Sequence, residues 1–200
     1  MVPRYVLFFP QIVSGPIQRS EEFLSQLHAG PGYDSSLFAE GMQRIVLGLF
    51  KKMVIANRLS GYVDAVFGAP ESYPGLACVL AAFFYSFQLY CDFSGYSDIA
   101  IGTAEILGFQ LGDNFRQPYL SASIHEFWNR WHISLSSWFK DYVYIPLGGN
   151  RRGLWRTCVN LVLTFLVSGL WHGASWTYLV WGLLHGLYSV IGRLTVKLRS

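Results

Sequence analysis

Apolar residues in this chain gather into long runs from which charge is missing. Between Tyr73 and Gly112 there is no Lys or Arg, and the only charges in those 40 positions are Asp92, Asp98 and Glu105. Residues 76–91 form an uncharged run slightly short of the ~20 residues that cross a bilayer. The pattern predicts a helix there that continues over 93–107 as a broken or second helix, with Gly95 and Gly102 as its weak points. A carboxylate at the bilayer centre costs about 2.5–3.5 kcal/mol. The three acids are therefore expected against other helices, water or an interface rather than lipid.

A second run, Thr157 to Gly192, holds 36 residues without Asp, Glu, Lys or Arg. One helix of that length would reach roughly 54 Å, against a hydrocarbon core of ~30 Å. The break falls at Ser168-Gly169-Leu170-Trp171-His172-Gly173-Ala174-Ser175, which predicts a hairpin with arms near 154–170 and 176–192. Arg151, Arg152 and Arg156 precede it, and Arg193, Lys197 and Arg199 follow it. The positive-inside bias puts both basic ends on the cytoplasmic side and His172 at the apex, deep in the membrane.

The remainder is less regular. Residues 1–17 are apolar but interrupted by Pro3, Pro10 and Pro16, which suggests a short re-entrant segment. Ser20 before Glu21-Glu22 marks a helix start. Residues 28–36 read as a loop, and 37–67 as an amphipathic or interfacial helix carrying Arg44, Lys51, Lys52 and Arg58. The fold class expected is an all-α, polytopic transmembrane helical bundle with re-entrant and interfacial helices, in one domain over 1–200.

Composition agrees. Only 14% of the residues are charged and 52% are hydrophobic, against roughly 25% charged in soluble domains. The net charge of +3 is too small to suggest nucleic acid. Cys78, Cys91 and Cys158 sit in apolar runs and match neither a disulfide framework nor a zinc site. No secretory signal opens the chain.

Candidate chemistry concentrates in two places. Residues 123–146 open with a capping box, Ser123 and Glu126, and predict one helix. On it His125, Asn129, His132 and Ser136 would share a face between walls of Trp128, Trp131, Trp138 and Phe139. Two readings stay open: an interfacial helix with its Trp belt, or a water-lined channel in which His132 meets a substrate. A metal site is a third, but the seven-residue His spacing matches no common motif. The glycine-rich, basic loop 146–153 lacks the Lys-Ser/Thr of a phosphate loop and reads as a cytoplasmic turn.

The second place is His172, flanked by Gly169, Gly173, Trp171 and Trp176. Buried, its imidazole would stay neutral, the form a general base needs. It could take the proton of a hydroxyl attacking an acyl thioester, an effect of typically 10²–10⁴ in rate. No Gly-x-Ser-x-Gly elbow supports a serine nucleophile. His185 reads as a packing or hydrogen-bonding residue, and His28 as solvated.

Four blocks carry a resemblance to a known family: Phe8-Phe9-Pro10-Gln11-Ile12-Val13-Ser14-Gly15-Pro16-Ile17, Tyr90-Cys91-Asp92-Phe93-Ser94-Gly95-Tyr96-Ser97-Asp98, Phe127-Trp128-Asn129-Arg130-Trp131-His132-Ile133-Ser134-Leu135-Ser136, and Ser168-Gly169-Leu170-Trp171-His172-Gly173-Ala174. The chain resembles the membrane-bound O-acyltransferase family, and Tyr144-Ile145-Pro146-Leu147-Gly148-Gly149-Asn150-Arg151 sharpens the match to its alginate O-acetyltransferase branch. The resemblance implies that His172 is the principal catalytic histidine and His132 the second active-site position. Asn129, His125, Ser136, Asp92, Asp98 and Trp171 are the candidates for lining a substrate channel.

The resemblance further implies a multi-pass protein of the bacterial inner membrane that acetylates an extracellular or periplasmic polysaccharide. The donor would be acetyl-coenzyme A or another activated acetyl thioester, used as cosubstrate with no bound cofactor and no metal. Periplasmic or membrane partner proteins and membrane lipid are the expected company. Family members are longer, so the chain is expected to be a core region without its flanking transmembrane helices. Two alternatives remain: D-alanyl transfer to teichoic acid from a carrier-protein thioester, and a transporter using Asp92, Asp98, His132 and His172 as a proton or ion path.

Overall fold

Uncharged runs of this length have one economical way to satisfy their backbone polar groups, which is to coil. In the computed structural model, which describes residues 5–11, 15–30 and 32–199, helices account for the regular structure and no strand is present among the described residues. Two of the helices, Gly75–Ile106 and Gly153–His172, are long and apolar enough to cross a membrane. The chain forms two compact units, Met1–Asp113 and Asn114–Ser200. Parts of the proline-rich opening, 1–4 and 12–14, lie outside the described residues, and Phe9–Gln11 forms a single 3-10 turn.

In the first unit, α1 (Ser20–Ala29) begins at the Ser-Glu-Glu signal. Phe23 on α1 stacks on Phe109 at 5.2 Å, in a core with Ile101, Ala104 and Leu111. Asp34 caps α2 (Ser35–Leu49) by accepting from the Ser36 and Leu37 amides. The helix widens into a π segment at Phe50–Ala56 and continues as α3 (Asn57–Gly68). Opposite it runs α4 (Gly75–Ile106), 32 residues without interruption. The expected break at Gly95 and Gly102 is therefore corrected. These glycines are contact points: a Cβ at Gly48 would lie 2.6 Å from the Gly95 carbonyl oxygen, and one at Gly41 2.6 Å from that of Gly102. Missing side chains bring two antiparallel backbones together, as small residues do in membrane helix pairs.

The same pairing engages cations of the 37–67 segment. Lys51 meets Asp98 at 2.6 Å, Lys52 meets Asp92, and Arg44 reaches Asp113 at 3.0 Å and Glu105 at 3.5 Å. Arg44, Lys51 and Lys52 thus point at acids of α4, and Arg44 also at Asp113 beyond its end. The outer face exposes Phe38, Met42, Val46, Phe50 and Met53.

The second unit opens on a turn at Pro118–Leu120, then α5 (Ile124–Arg130) and α6 (Ile133–Phe139), followed by a π turn at Lys140–Tyr144. The hairpin follows as α7 (Gly153–His172) and α8 (Trp176–Arg199), close to the arms expected. Glycines again set the contact: a Cβ at Gly169 would strike the Tyr178 carbonyl oxygen, and one at Gly182 that of Phe165. The fully buried Asn160 donates from Nδ2 to the Gly149 carbonyl at 3.0 Å and ties the basic loop to the start of α7.

Candidate functional site

The helix expected over 123–146 is two helices. The capping box forms: Ser123 Oγ accepts from the Glu126 amide at 3.1 Å, and Glu126 Oε2 accepts from the Ala122 amide at 2.7 Å. The helix then stops at Arg130 because His132 adopts a left-handed backbone, φ 44°. A non-glycine residue there costs roughly 1–2 kcal/mol, so something must hold it. Asn114 does. Its carbonyl accepts from the Ile133 amide at 2.9 Å, and its side-chain Oδ1 accepts from the Ser134 amide at 3.2 Å and the Ser134 hydroxyl at 2.9 Å. Asn114 caps α6 from a distance and is 1% exposed.

The break corrects the shared face of His125, Asn129, His132 and Ser136. His125 and Asn129 remain together on α5, their side chains 3.2 Å apart and exposed. Ser136, one turn into α6, donates from Oγ to the Trp131 carbonyl at 3.2 Å. His132 turns inward and is 7% exposed, with Phe115 stacked on its ring. It lies outside both candidate spans. Burial pushes its pKa down to about 4, helped by the nearby charge of His172, so at neutral pH it is uncharged.

His172 is the last residue of α7, at the turn Gly173-Ala174-Ser175. The glycine is required: a Cβ at Gly173 would lie 2.6 Å from the Tyr178 ring. The expectation that this imidazole is buried is corrected, because His172 is exposed within this chain and the buried neutral histidine is His132. Aromatic rings surround it. Trp171 stands edge-on at 5.0 Å, Tyr178 stacks at 6.1 Å and Trp181 stands edge-on at 5.3 Å. Phe139 at the end of α6 meets Trp171 at 6.3 Å, so α6 packs beside the apex that carries His172.

Two residues not among the channel candidates complete this wall. Trp181 lies between the two histidines, its ring centroid 4.7 Å from that of His185, and Trp128 stands edge-on to His185 at 5.1 Å. The spacing Tyr178, Trp181, His185, Tyr188 on α8 is a helical face legible in the sequence. Its partner Trp128 comes from another helix, which periodicity does not reveal. Asp92 and Asp98 lie in the first unit, each engaged by a lysine. No group of three metal-ligating side chains is found among the described residues.

The sequence model of the membrane-bound O-acyltransferase family matches residues 2–200. The probable alginate O-acetylase AlgI of Pseudomonas putida is 47% identical over 94% of this chain and 39% of its own length. The peptidoglycan O-acetyltransferase of Helicobacter pylori is 43% identical over 92% of the chain and 35% of its own length. More distant is the teichoic acid D-alanyltransferase of Bacillus subtilis, 32% identical over 92% of the chain and 49% of its own length. The chain thus spans about two-fifths of the acetylating relatives it matches.

Proposed function

The chain belongs to the membrane-bound O-acyltransferase family, and we propose that it carries the part of such an enzyme that moves an acetyl group from a thioester to a hydroxyl of an extracellular or periplasmic polysaccharide. The observation that supports this best is the placement of His172 at a helix end, in an aromatic wall, beside the helix that holds His132 buried and uncharged. His172 takes the proton of the acceptor hydroxyl as its oxygen attacks the thioester carbonyl carbon. The carbon–sulfur bond breaks, the ester forms, and the thiolate recovers the proton from the imidazolium. His132 donates to the oxygen on which negative charge develops.

The reading extends to topology. The α7–α8 hairpin and α4 cross the bacterial inner membrane, and the arginines at 151, 152 and 156 stay on the cytoplasmic side. His172 is then reached from the outer side by the polymer, with periplasmic or membrane partner proteins presenting it. The acetyl donor is acetyl-coenzyme A or another acetyl thioester. Over the aligned residues the acetylating relatives are 43–47% identical to the chain, against 32% for the D-alanyl relative, which favours acetyl over D-alanyl transfer.

The test is His172→Ala in the intact membrane protein, with mass analysis of the host's exopolysaccharide. Loss of O-acetyl groups at unchanged protein level is expected, a drop of about 10²-fold or more. Persisting acetylation sinks the base assignment. Loss of D-alanyl esters instead moves the reading to that chemistry. Solute- or proton-coupled flux without an acylated product makes the protein a transporter.

A further inference from the structure

The last acid in the sequence is Asp141: from Tyr142 to Ser200 there is no Asp or Glu. Arginines in that stretch have no carboxylate of their own segment to meet, and the fold gathers four of them at one end of the α7–α8 hairpin. Arg151 and Arg152 sit in the loop before α7, and Arg156 in its first turn. Asn160 donates to the Gly149 carbonyl and so fixes that loop to α7. Gly186 lies opposite Val162 in the hairpin. The antiparallel register then brings Arg193, seven residues later, level with Trp155, seven residues earlier. Tyr144 joins the two strands of this end: its ring stands 3.7 Å from the place of a Cβ at Gly149, and the Arg193 charge acts on its hydroxyl, against the rise in pKa that burial causes. All four arginines are exposed, and none of their guanidiniums takes part in an ion pair or donates a hydrogen bond among the described residues. Arg44, Lys51, Lys52 and Arg130, by contrast, each meet a carboxylate. Like charges held together repel, and the guanidinium fork matches the oxygens of a phosphate.

We propose that this end of the hairpin binds an anionic phospholipid. The apolar surface beside it decides between a lipid and a free phosphate. Val180, Leu184, Leu187, Ile191 and Leu194 are exposed at i, i+4, i+7, i+11 and i+14, one continuous stripe along α8. The stripe covers about 21 Å of helix, more than the ~15 Å of hydrocarbon in one leaflet, and it ends at the level of Arg193. Trp155 stands at that level too, 82% exposed, as indoles do at the headgroups. An acyl chain fills the stripe while its phosphodiester meets the arginines; inorganic phosphate leaves the stripe bare. In the topology proposed above this end faces the cytoplasmic leaflet, where anionic lipids meet basic pockets between helices. The proposal uses that topology and not the chemistry at His172.

The test uses the intact membrane protein in neutral detergent, with bound lipid counted by native mass spectrometry. Phosphatidylglycerol is expected to bind about 10-fold more tightly than phosphatidylcholine of the same chains, each arginine near the headgroup giving roughly fivefold. R156Q/R193Q should bring that ratio toward 1, whereas R58Q, at an exposed position of α3, should leave it unchanged. Dihexanoyl phosphatidylglycerol keeps the headgroup and cannot fill the stripe, so it should bind several-fold more weakly than the long-chain lipid. Equal binding of the two long-chain lipids by the wild type overturns the proposal, and needs no variant to fold. An equal loss in R58Q overturns it too, because the preference would then be one of overall charge. Displacement of the lipid by equimolar inorganic phosphate would reduce the place to a phosphate site, and displacement by acetyl-coenzyme A would give the arginines to the acyl donor; either result removes the lipid. None of these outcomes removes the acyl-transfer reading, whose own test is the acetyl content of the polysaccharide.

Discussion

The two helical hairpins pack by the same device and treat polar side chains in opposite ways. In both, glycines let antiparallel backbones touch: Gly41 and Gly48 against Gly102 and Gly95 in the first, Gly169 and Gly182 against Tyr178 and Phe165 in the second. In the first hairpin full charges meet across the contact, Lys51 with Asp98, Lys52 with Asp92 and Arg44 with Glu105, although Gln88 Oε1 and Ser94 Oγ are buried without a partner among the described residues. In the second, neutral rings replace charges: His172, Trp181 and His185 follow one another in ring contact, with Trp128 of α5 against His185. Glycine spacing therefore says only that helices touch. The polar content of the contact separates them: matched charges lie along the first, and neutral aromatic rings fill the second.

The sharpest way to break this contrast is to remove one partner in each hairpin. Lys51→Met strands the Asp98 carboxylate between helices, and the loss should be about 3 kcal/mol; adding Asp98→Asn should recover most of it. His185→Phe replaces a ring by a ring and removes an unpaired nitrogen, so stability should hold within about 1 kcal/mol. Thermal unfolding in detergent reads both. A destabilised His185→Phe would make His185 a structural group like Lys51.

A comparable effect should come from pH. His132 titrates near 6.5 when unfolded and at about 4 in the fold. Below about 6.5 the unfolded chain takes up a proton that the folded one refuses, so stability falls as pH drops toward 4, by on the order of 3 kcal/mol in all. His132→Asn, which tolerates the left-handed backbone, should flatten that part of the stability–pH curve. An unchanged slope would show that the buried imidazole is not its source.

Glycine contacts give a smaller effect. Gly95→Ala pushes a methyl into the Gly48 carbonyl and should cost about 1–3 kcal/mol. Gly61→Ala, helical with nothing near its added methyl, should be neutral or stabilise by up to about 1 kcal/mol. Equal effects at the two positions would remove the close backbone contact from the account.

What the sequence disclosed follows the same division. The α7–α8 hairpin and its apex at His172 were legible because charge is absent over a long stretch and the break is spelled in glycine and serine. Three features were not, each for a tertiary reason. Gly95 and Gly102 look like weak points until a partner glycine is seen opposite them. Arg44, Lys51 and Lys52 disqualify a buried helix on hydropathy, yet acids forty or more positions away neutralise them. The break at His132 has no glycine or proline to announce it, because the residue that holds it, Asn114, lies twenty positions away from Ser134. Such local rules fail where distant side chains enforce a backbone that propensity disfavours, and that is where functional positions are expected.

The smallest effect bears on whether α5 serves the site at all. His125 and Asn129 are exposed and hydrogen-bonded to each other at 3.2 Å, a contact worth only a few tenths of a kcal/mol on a helix surface. Asn129→Ala should therefore move stability by less than about 0.5 kcal/mol. If the side chain lines the acceptor's approach, the same variant should raise the KM for an oligosaccharide acceptor several-fold, as loss of one hydrogen bond does, with the KM for the acetyl donor unchanged. Steady-state transfer measured against each substrate in turn separates the two. A variant silent in both would reduce α5 to a bracket for Trp128, and the acceptor path would have to be sought along α6, where His132 and Ser136 remain.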